Sequence, residues 1–416
     1  MLEYKQTFVL SERVPLLKYY VGYDKIRYNL QRKGKTMKKF ISLAISLIMI
    51  FNFAAFASAD EAPALEFNES GKFRIMVIND THDDKTTDNR LIKGLETALK
   101  SEKPDLVVFN GDIFYERFLN PTKETLFESM NGIFTVVENA EIPFALTFGN
   151  HDTQYGVSAD ELMNYCTENF DYCVADKNGC DAGTYNLPVY SAGGDLIFNV
   201  YLMDTHSKDA NGDYDGVSEE QIKWYESKSD ELKAENGGVP VPSYVFEHIP
   251  VRQINSILKE VPFGTENATF TPDGYKVVDP DKHMGGNFYE YPNPTGDETN
   301  RQYESWVEKG DIVAAFFGHD HTNSFYGKTD DGIILGYNAS FGWKAYGMGG
   351  ATRQIKMIVV DEDDPRNPEI YSKTYTELTG EKGGIGPIDF ISPWTYNVII
   401  NNTIGKIVAL ISKIFG

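Results

Sequence analysis

Residues 74–82 read Arg-Ile-Met-Val-Ile-Asn-Asp-Thr-His. The apolar and β-branched run at 74–78 predicts a buried strand, and a carboxylate (Asp80) and an imidazole (His82) follow it at once. The same arrangement recurs downstream. Residues 106–109 precede Asn110-Gly111-Asp112, residues 144–148 precede Gly149-Asn150-His151-Asp152, residues 243–246 precede Glu247-His248, and residues 312–317 precede Gly318-His319-Asp320-His321. The chain has only seven histidines, and five of them (His82, His151, His248, His319 and His321) fall in these strings, which chance scatter does not produce. Metal-binding side chains gathered at strand ends predict a dinuclear metal site.

Helical spacing fills the gaps between the first strands: Leu91, Ile92, Leu95, Ala98 and Leu99, then Leu126, Met130, Ile133 and Val137. These are β-α-β units. In open α/β sheets ligands sit beyond the carboxyl ends of the strands, so residues as distant in sequence as 80 and 321 can converge on one site. Residues 197–203 lead into Asp204-Thr205-His206, which reads as loop support or pocket wall. Runs at 333–337 and 354–360 carry no histidine and read as a covering sheet, and His283 reads as structural or solvated. Asp83, Asp84, Lys85 and Arg90 read as charges on the rim, with Arg90 able to meet an anion.

Lys38 and Lys39 precede an apolar run at 40–57 that closes on Ala57-Ser58-Ala59, the pattern of a secretory signal peptide over residues 37–59. Residues 1–36 are then an upstream extension, with Met37 the expected start. An uncleaved membrane anchor is the alternative, although the run sits near the lower limit for spanning a bilayer. Either reading puts the remainder outside the cytoplasm, secreted or at the cell surface. Residues 1–59 hold ten of the 39 Lys/Arg and three of the 61 Asp/Glu, leaving 29 basic against 58 acidic side chains beyond them, a formal charge of −29. Such a surface repels nucleic acid and anionic lipid, so an anionic substrate needs local cations.

Residues 60–387 read as one domain. Within it, 251–310 is a Gly-, Pro-, Asn- and Tyr-rich insertion, a candidate lid over the site. Cys166, Cys173 and Cys180 allow at most one disulfide among themselves. The tail at 388–416 places Ile404, Ile407, Leu410, Ile411 and Ile414 on one helical face, which suits either contact with a membrane surface or docking on the domain.

Close metal ions need oxygen and imidazole donors and one shared anionic ligand to offset their repulsion, and Asp112 is the natural bridge. Water shared by two Lewis acids is deprotonated near neutral pH and becomes a nucleophile. The strings together resemble the calcineurin-like metallophosphoesterase superfamily, whose pattern is DxH, GDxx, GNHD or GNHE, a lone His, then GHxH. The match runs from Asp80 to His321. That resemblance implies an α/β fold, a four-layer α/β/β/α sandwich of two mixed sheets with flanking helices. It implies one metal on Asp80, His82, Asp112 and His321, and another on Asp112, Asn150, His248 and His319. It also implies a metal-bridging hydroxide attacking phosphorus in line, with His151 stabilising or protonating the leaving oxygen and Asp152 beside it. The metals would be two divalent or mixed-valence ions of Fe, Mn, Zn or Co.

Tyr115 departs from the pattern, because many members carry there a second Asp that orients the active-site histidine. Purple acid phosphatases place a metal-binding Tyr at that position but lack the histidine of the first motif, which this chain retains as His82, so Tyr115 is expected to line the pocket. Phe246-Glu247-His248-Ile249-Pro250, Gly318-His319-Asp320-His321, Tyr337-Asn338 and Tyr346-Gly347 look most like the purple-acid-phosphatase-related branch. The expected activity is hydrolysis of small phosphomonoesters. The alternatives are a phosphodiesterase on the same site and a surface binding protein that keeps the fold without turnover.

Overall fold

The computed structural model describes residues 63–115, 122–175, 179–347, 349–384 and 407. The upstream extension, the signal peptide and all of the tail but Ile407 lie outside the described residues. Strand β1 (Lys72–Ile78) pairs in parallel with β2 (Leu106–Asn110), and β2 with β3 (Phe144–Thr147). Helices α1 (Asn89–Glu102) and α2 (Lys123–Glu138) make the two crossovers, as the helical spacing predicts. Each begins where the sequence offers a cap: the Asp88 carboxylate accepts from the Arg90 N–H, and Thr122 forms a capping box with Thr125.

Two further strands complete this first sheet. Strand β14 (Gln354–Asp361) runs antiparallel beside β1, and β15 (Asp364–Thr374) runs antiparallel beside β14. The second sheet has a parallel centre of β5 (Leu196–Met203), β6 (Ser243–Glu247), β11 (Ile312–Phe317) and β13 (Ile334–Tyr337). Antiparallel strands flank it: β4 (Tyr185–Tyr190) on one side, β12 (Tyr326–Lys328) and β10 (His283–Gly285) on the other. The runs at 333–337 and 354–360 therefore do not form a separate covering sheet. They supply β13 and β14, and the physical reason is that both are buried on both faces, as an interior strand is and a one-sided cover is not.

Side-chain alternation sorts the layers. In the second sheet Phe198, Val200, Leu202, Tyr244, Phe246, Ala314 and Phe316 join the core shared with the first sheet, and the rings of Phe73 and Phe198 meet across it at 5.4 Å. The intervening Tyr201, Met203, Val245, Ala315 and Phe317 face the other way. They pack on Ile222, Tyr225 and Leu232 of α4 (Glu219–Glu235) and on Tyr303 and Trp306 of α5 (Gln302–Lys309). Leu91, Leu95, Ala98 and Leu99 of α1, with Leu126, Met130, Ile133 and Val137 of α2, cover the outer face of the first sheet. The order helix, sheet, sheet, helix is the expected four-layer α/β/β/α sandwich.

Residues 251–310 are structured. They hold a 3-10 turn (Arg252–Ile257), a small antiparallel sheet ordered β7 (Leu258–Val261), β9 (Gly274–Val278), β8 (Thr269–Thr271), then β10 and α5. Helix α3 (Ala159–Asn169) and the short α6 (Tyr375–Thr379) complete the described elements. Cys166 and Cys173 are buried, Cys180 is half-buried, and none is bridged. Among the described residues no helix is long and apolar enough to cross a membrane.

Candidate metal centre

Three of the five motifs turn away from their strands through an unusual backbone. Asp80 (φ 48°), His82 (φ 44°), Asp112 (φ 49°) and His319 (φ 73°) all occupy the left-handed region, which residues with a Cβ seldom adopt. Four such residues at strand ends store strain where function commonly requires it. Asp80 and His82 can both face one point because the chain leaves β1 this way, with the Asp80 and His82 N–H groups donating to the Gly111 and Asp112 carbonyls. Glycine permits the closest approach: a Cβ on Gly149 would lie 2.3 Å from Asp112 Oδ1.

These turns bring the donors of both sheets together. His82 Nε2 lies 3.6 Å from Asp80 Oδ1 and 3.4 Å from Asp112 Oδ2. His248 Nε2 lies 3.2 Å from Asp112 Oδ2, and His321 Nε2 3.3 Å from Asp80 Oδ1. Donor atoms form groups within 4.8 Å of one another: Asp80, His82 and His321; Asp112, His248 and His319; and His82, Asp112 and His151. Asp112 belongs to two of them. Asn150 sits between Gly149 and His151, whose N–H donates to Asp112 Oδ1 at 2.8 Å. The Asn150 Oδ1 is buried with no hydrogen-bond partner among the described residues.

Buried polar atoms without partners test whether cations fit. Asp80 Oδ1, His82 Nε2, Asn150 Oδ1 and His248 Nε2 are all in that condition, and such atoms are costly unless something satisfies them. Electrostatics points the same way. Burial disfavours the Asp80 and Asp112 carboxylates, but the facing imidazoles, His248 foremost, hold both well below the usual range. Burial likewise opposes charge on His82 and His248, yet the two aspartates push them up to about 9 and about 10. Burial dominates at His319 and His321, lowered to about 3 and about 4. The cage draws positive charge, and its oxygen and imidazole donors suit Fe, Mn, Zn or Co. The His248 Nδ1 faces the Asn110 carbonyl at 3.0 Å, a contact that reserves Nε2 for a ligand.

Asp152 does not stand beside His151 as a catalytic group. Its Oδ2 accepts from the N–H groups of Asp112 (2.9 Å) and Gly149 (2.8 Å), and its Oδ1 from those of Ile113 (2.8 Å) and Phe114 (3.0 Å). A fully buried carboxylate with four amide donors is a clamp on the Asp112 turn, out of reach of a substrate. Burial and the Asp112 charge push it up to about 7 against those donors. His151 borders the site. Its Nδ1 meets Gln154 Oε1 at 2.9 Å, its Nε2 looks toward Asp112 Oδ2 at 4.0 Å, and its side chain is 29% exposed. The Tyr115 ring packs against His82 (5.5 Å) and His151 (4.7 Å).

Other residues fall elsewhere. The exposed His206 side chain lies outside the donor groups, although its neighbours brace the site: Thr205 Oγ1 accepts from the Ile249 N–H and Ser207 Oγ donates to the Asn150 carbonyl. His283 is exposed on β10. Arg90 chelates Asp88, donates to the Gly383 carbonyl and lies over Trp343, so it is committed away from any phosphate. Asp83 is buried and pairs with Lys344 at 2.6 Å, which makes it structural rather than a rim charge.

Sequence reading passed over Tyr214, whose ring meets His319 edge-on at 4.3 Å, and Asn79, which donates to Asp80 Oδ2 and to the Asn338 carbonyl. Asn79 lay in the decisive stretch, immediately before Asp80, and that position was its only signal.

With this geometry in place, comparison with known proteins is specific. A family model described as calcineurin-like phosphoesterase matches residues 73–323, more than half of the chain. The chain belongs to the calcineurin-like phosphoesterase family. Within the family it lies in the branch related to purple acid phosphatases. It is 26% identical over 341 residues to "Probable inactive purple acid phosphatase 29" of Arabidopsis thaliana, covering 73% of this chain and 80% of that one. It is 27% identical over 370 residues to "Probable inactive purple acid phosphatase 14" of the same plant, covering 78% and 85%. It is 23% identical over 318 residues to "Phosphatase DCR2" of Saccharomyces cerevisiae, covering 70% and 50%.

Proposed function

We propose that this phosphoesterase-family chain is an exported, two-metal hydrolase of small phosphomonoesters. The observation that carries the reading is Asp112, one carboxylate shared between donor groups from both sheets, among buried donor atoms that nothing else satisfies. Two cations bound there would polarise the phosphoryl oxygens and lower the pKa of nearby water. Asp80, His82, Asp112 and His321 would hold one, and Asp112, Asn150, His248 and His319 the other.

The chain's own groups would then do the following. The Asp152 clamp holds the turn that carries Asp112, and the His151 N–H holds Asp112 Oδ1, so the carboxylate is oriented before substrate arrives. Gln154 holds Nδ1 of His151, which leaves Nε2, partly exposed beside Asp112, to give its proton to the departing alkoxide. Tyr115 and Tyr214 wall the opening against His151 and His319. Export rests on the signal-peptide pattern at 37–59 and is tested by sequencing the amino terminus of the secreted product, expected to begin at Asp60.

A second reading is favoured by the names of the two Arabidopsis relatives: a fold that binds ions or phosphate without turnover. The deciding experiment loads the full chain with Mn²⁺, Co²⁺, Zn²⁺ or Fe and compares p-nitrophenyl phosphate with its bis ester. Faster turnover of the monoester is expected. A preference for the bis ester would reassign the substrate class, and two bound ions with no turnover of either would establish the binding protein.

A further inference from the structure

We infer that Glu290, carried by the insertion, is a positioning residue for the candidate metal ligand His321 and acts through Tyr346. This rests on the two-metal reading above and adds to it residues outside the proposed ligand sets. The reason begins with His321 itself. A histidine that binds metal is normally oriented through its second ring nitrogen, as His248 is by the Asn110 carbonyl. His321 lacks that anchor: its Nδ1 is buried and has no hydrogen-bond partner among the described residues.

What fixes the ring instead is a face contact. Tyr346 stacks on His321 with centroids 4.0 Å apart and planes inclined by 23°. Tyr346 is anchored in turn, its hydroxyl donating to Glu290 Oε2 at 2.7 Å. The other Glu290 oxygen, Oε1, accepts from the N–H (2.5 Å) and the hydroxyl (2.8 Å) of Thr322, the residue after His321. One buried carboxylate therefore ties down both the backbone leaving His321 and the ring lying on it.

The insertion is locked to this loop at further points. Asn323 Oδ1 accepts from the N–H groups of Tyr289 and Glu290, Asn323 Nδ2 donates to the Glu290 carbonyl, and Asn293 Nδ2 donates to Asp320 Oδ1 at 3.0 Å. Residues 287–293 thus form a buttress beneath the His319–His321 loop, and the lid expected from sequence does not describe them. A lid must release the site, whereas this segment shares buried hydrogen bonds with it.

Stepwise Mn²⁺ binding by calorimetry on the full chain, with metal-free melting temperatures, tests the proposal. Tyr346→Leu removes the stacked ring, Tyr346→Phe keeps it and loses the hydroxyl, and Glu290→Gln weakens the anchor. We expect Tyr346→Leu to weaken one of the two binding steps by about tenfold or more and to leave the other within about twofold. Tyr346→Phe and Glu290→Gln should shift the same step by less and leave the other unchanged, even where the lost buried hydrogen bond lowers metal-free melting. Two unaltered steps in all three variants would overturn the proposal, as would equal weakening of both steps together with loss of metal-free stability, which marks a general packing role. A wild-type chain that binds no pair of ions sinks the two-metal reading itself, an outcome visible before any variant is made.

Discussion

The Asp152 carboxylate accepts the backbone N–H of Asp112 at 2.9 Å, so one aspartate holds the turn on which the shared ligand stands. Its two oxygens receive four amides, and replacing either oxygen by an NH₂ group turns acceptors into donors facing donors. Asp152→Asn should therefore cost about 1–3 kcal/mol of stability, the scale for buried amides left unsatisfied. It should also weaken ion binding. Chemical denaturation of metal-free protein gives the first quantity. An Asn variant as stable as the wild type would show that the clamp is unimportant.

His151 borders Asp112 but belongs to neither of the two proposed ligand sets, so His151→Ala should keep both ions and slow turnover by about 10²-fold. The deficit should be larger for an alkyl phosphate than for p-nitrophenyl phosphate, whose leaving group needs less protonation. Equal deficits on both substrates would remove the proton-donor role.

Gly149→Ala should lose metal through sterics alone, because the added methyl would sit 2.3 Å from Asp112 Oδ1. Asp112→Ala should match it, both ions depending on that carboxylate. Elemental analysis of each variant decides, and two full equivalents retained by Gly149→Ala would contradict the close packing.

Lys356 offers a pH-dependent prediction away from the metals. Its side chain is fully buried, with Nζ 3.2 Å from both the Ser324 carbonyl and Ser372 Oγ, and burial pushes the ammonium down to about 7. A lysine depressed in the folded state binds its proton more readily when unfolded. Its contribution to stability is therefore present above the unfolded pKa of 10.5 and is lost as pH falls through about 7. Lys356→Met should gain on the wild type in melting temperature as pH drops from 10 to 7. A constant difference over that range would show that the folded lysine keeps its proton, its pKa undepressed.

Much of the site was legible because its signal is local: a polar string after an apolar run marks a strand end, and β1, β2, β3, β6 and β11 all terminate where the strings begin. The sandwich followed from that pattern with the family resemblance. What stayed hidden depends on contacts between distant residues. Nothing in Gly149-Asn150-His151-Asp152 distinguishes an aspartate that meets substrate from one that caps four amides. Glu290 and Tyr346 are 56 positions apart and meet only after the insertion has folded against β11's outgoing loop. Helix α4 escaped notice because nearly its whole surface is charged or polar, with Ile222, Tyr225 and Leu232 its few apolar anchors.

Asn110 stands just before the strained turn to Asp112, and its amide donates to the carbonyls of Glu247 (2.9 Å) and Phe316 (3.0 Å) across the sandwich. Four of the proposed ligands ride on one slab and three on the other, with this side chain as a rivet between them. Spacing between the two ions is consequently a property of how the slabs are registered, so a substitution deep in the interior, far from any substrate, can detune the chemistry by letting them slide.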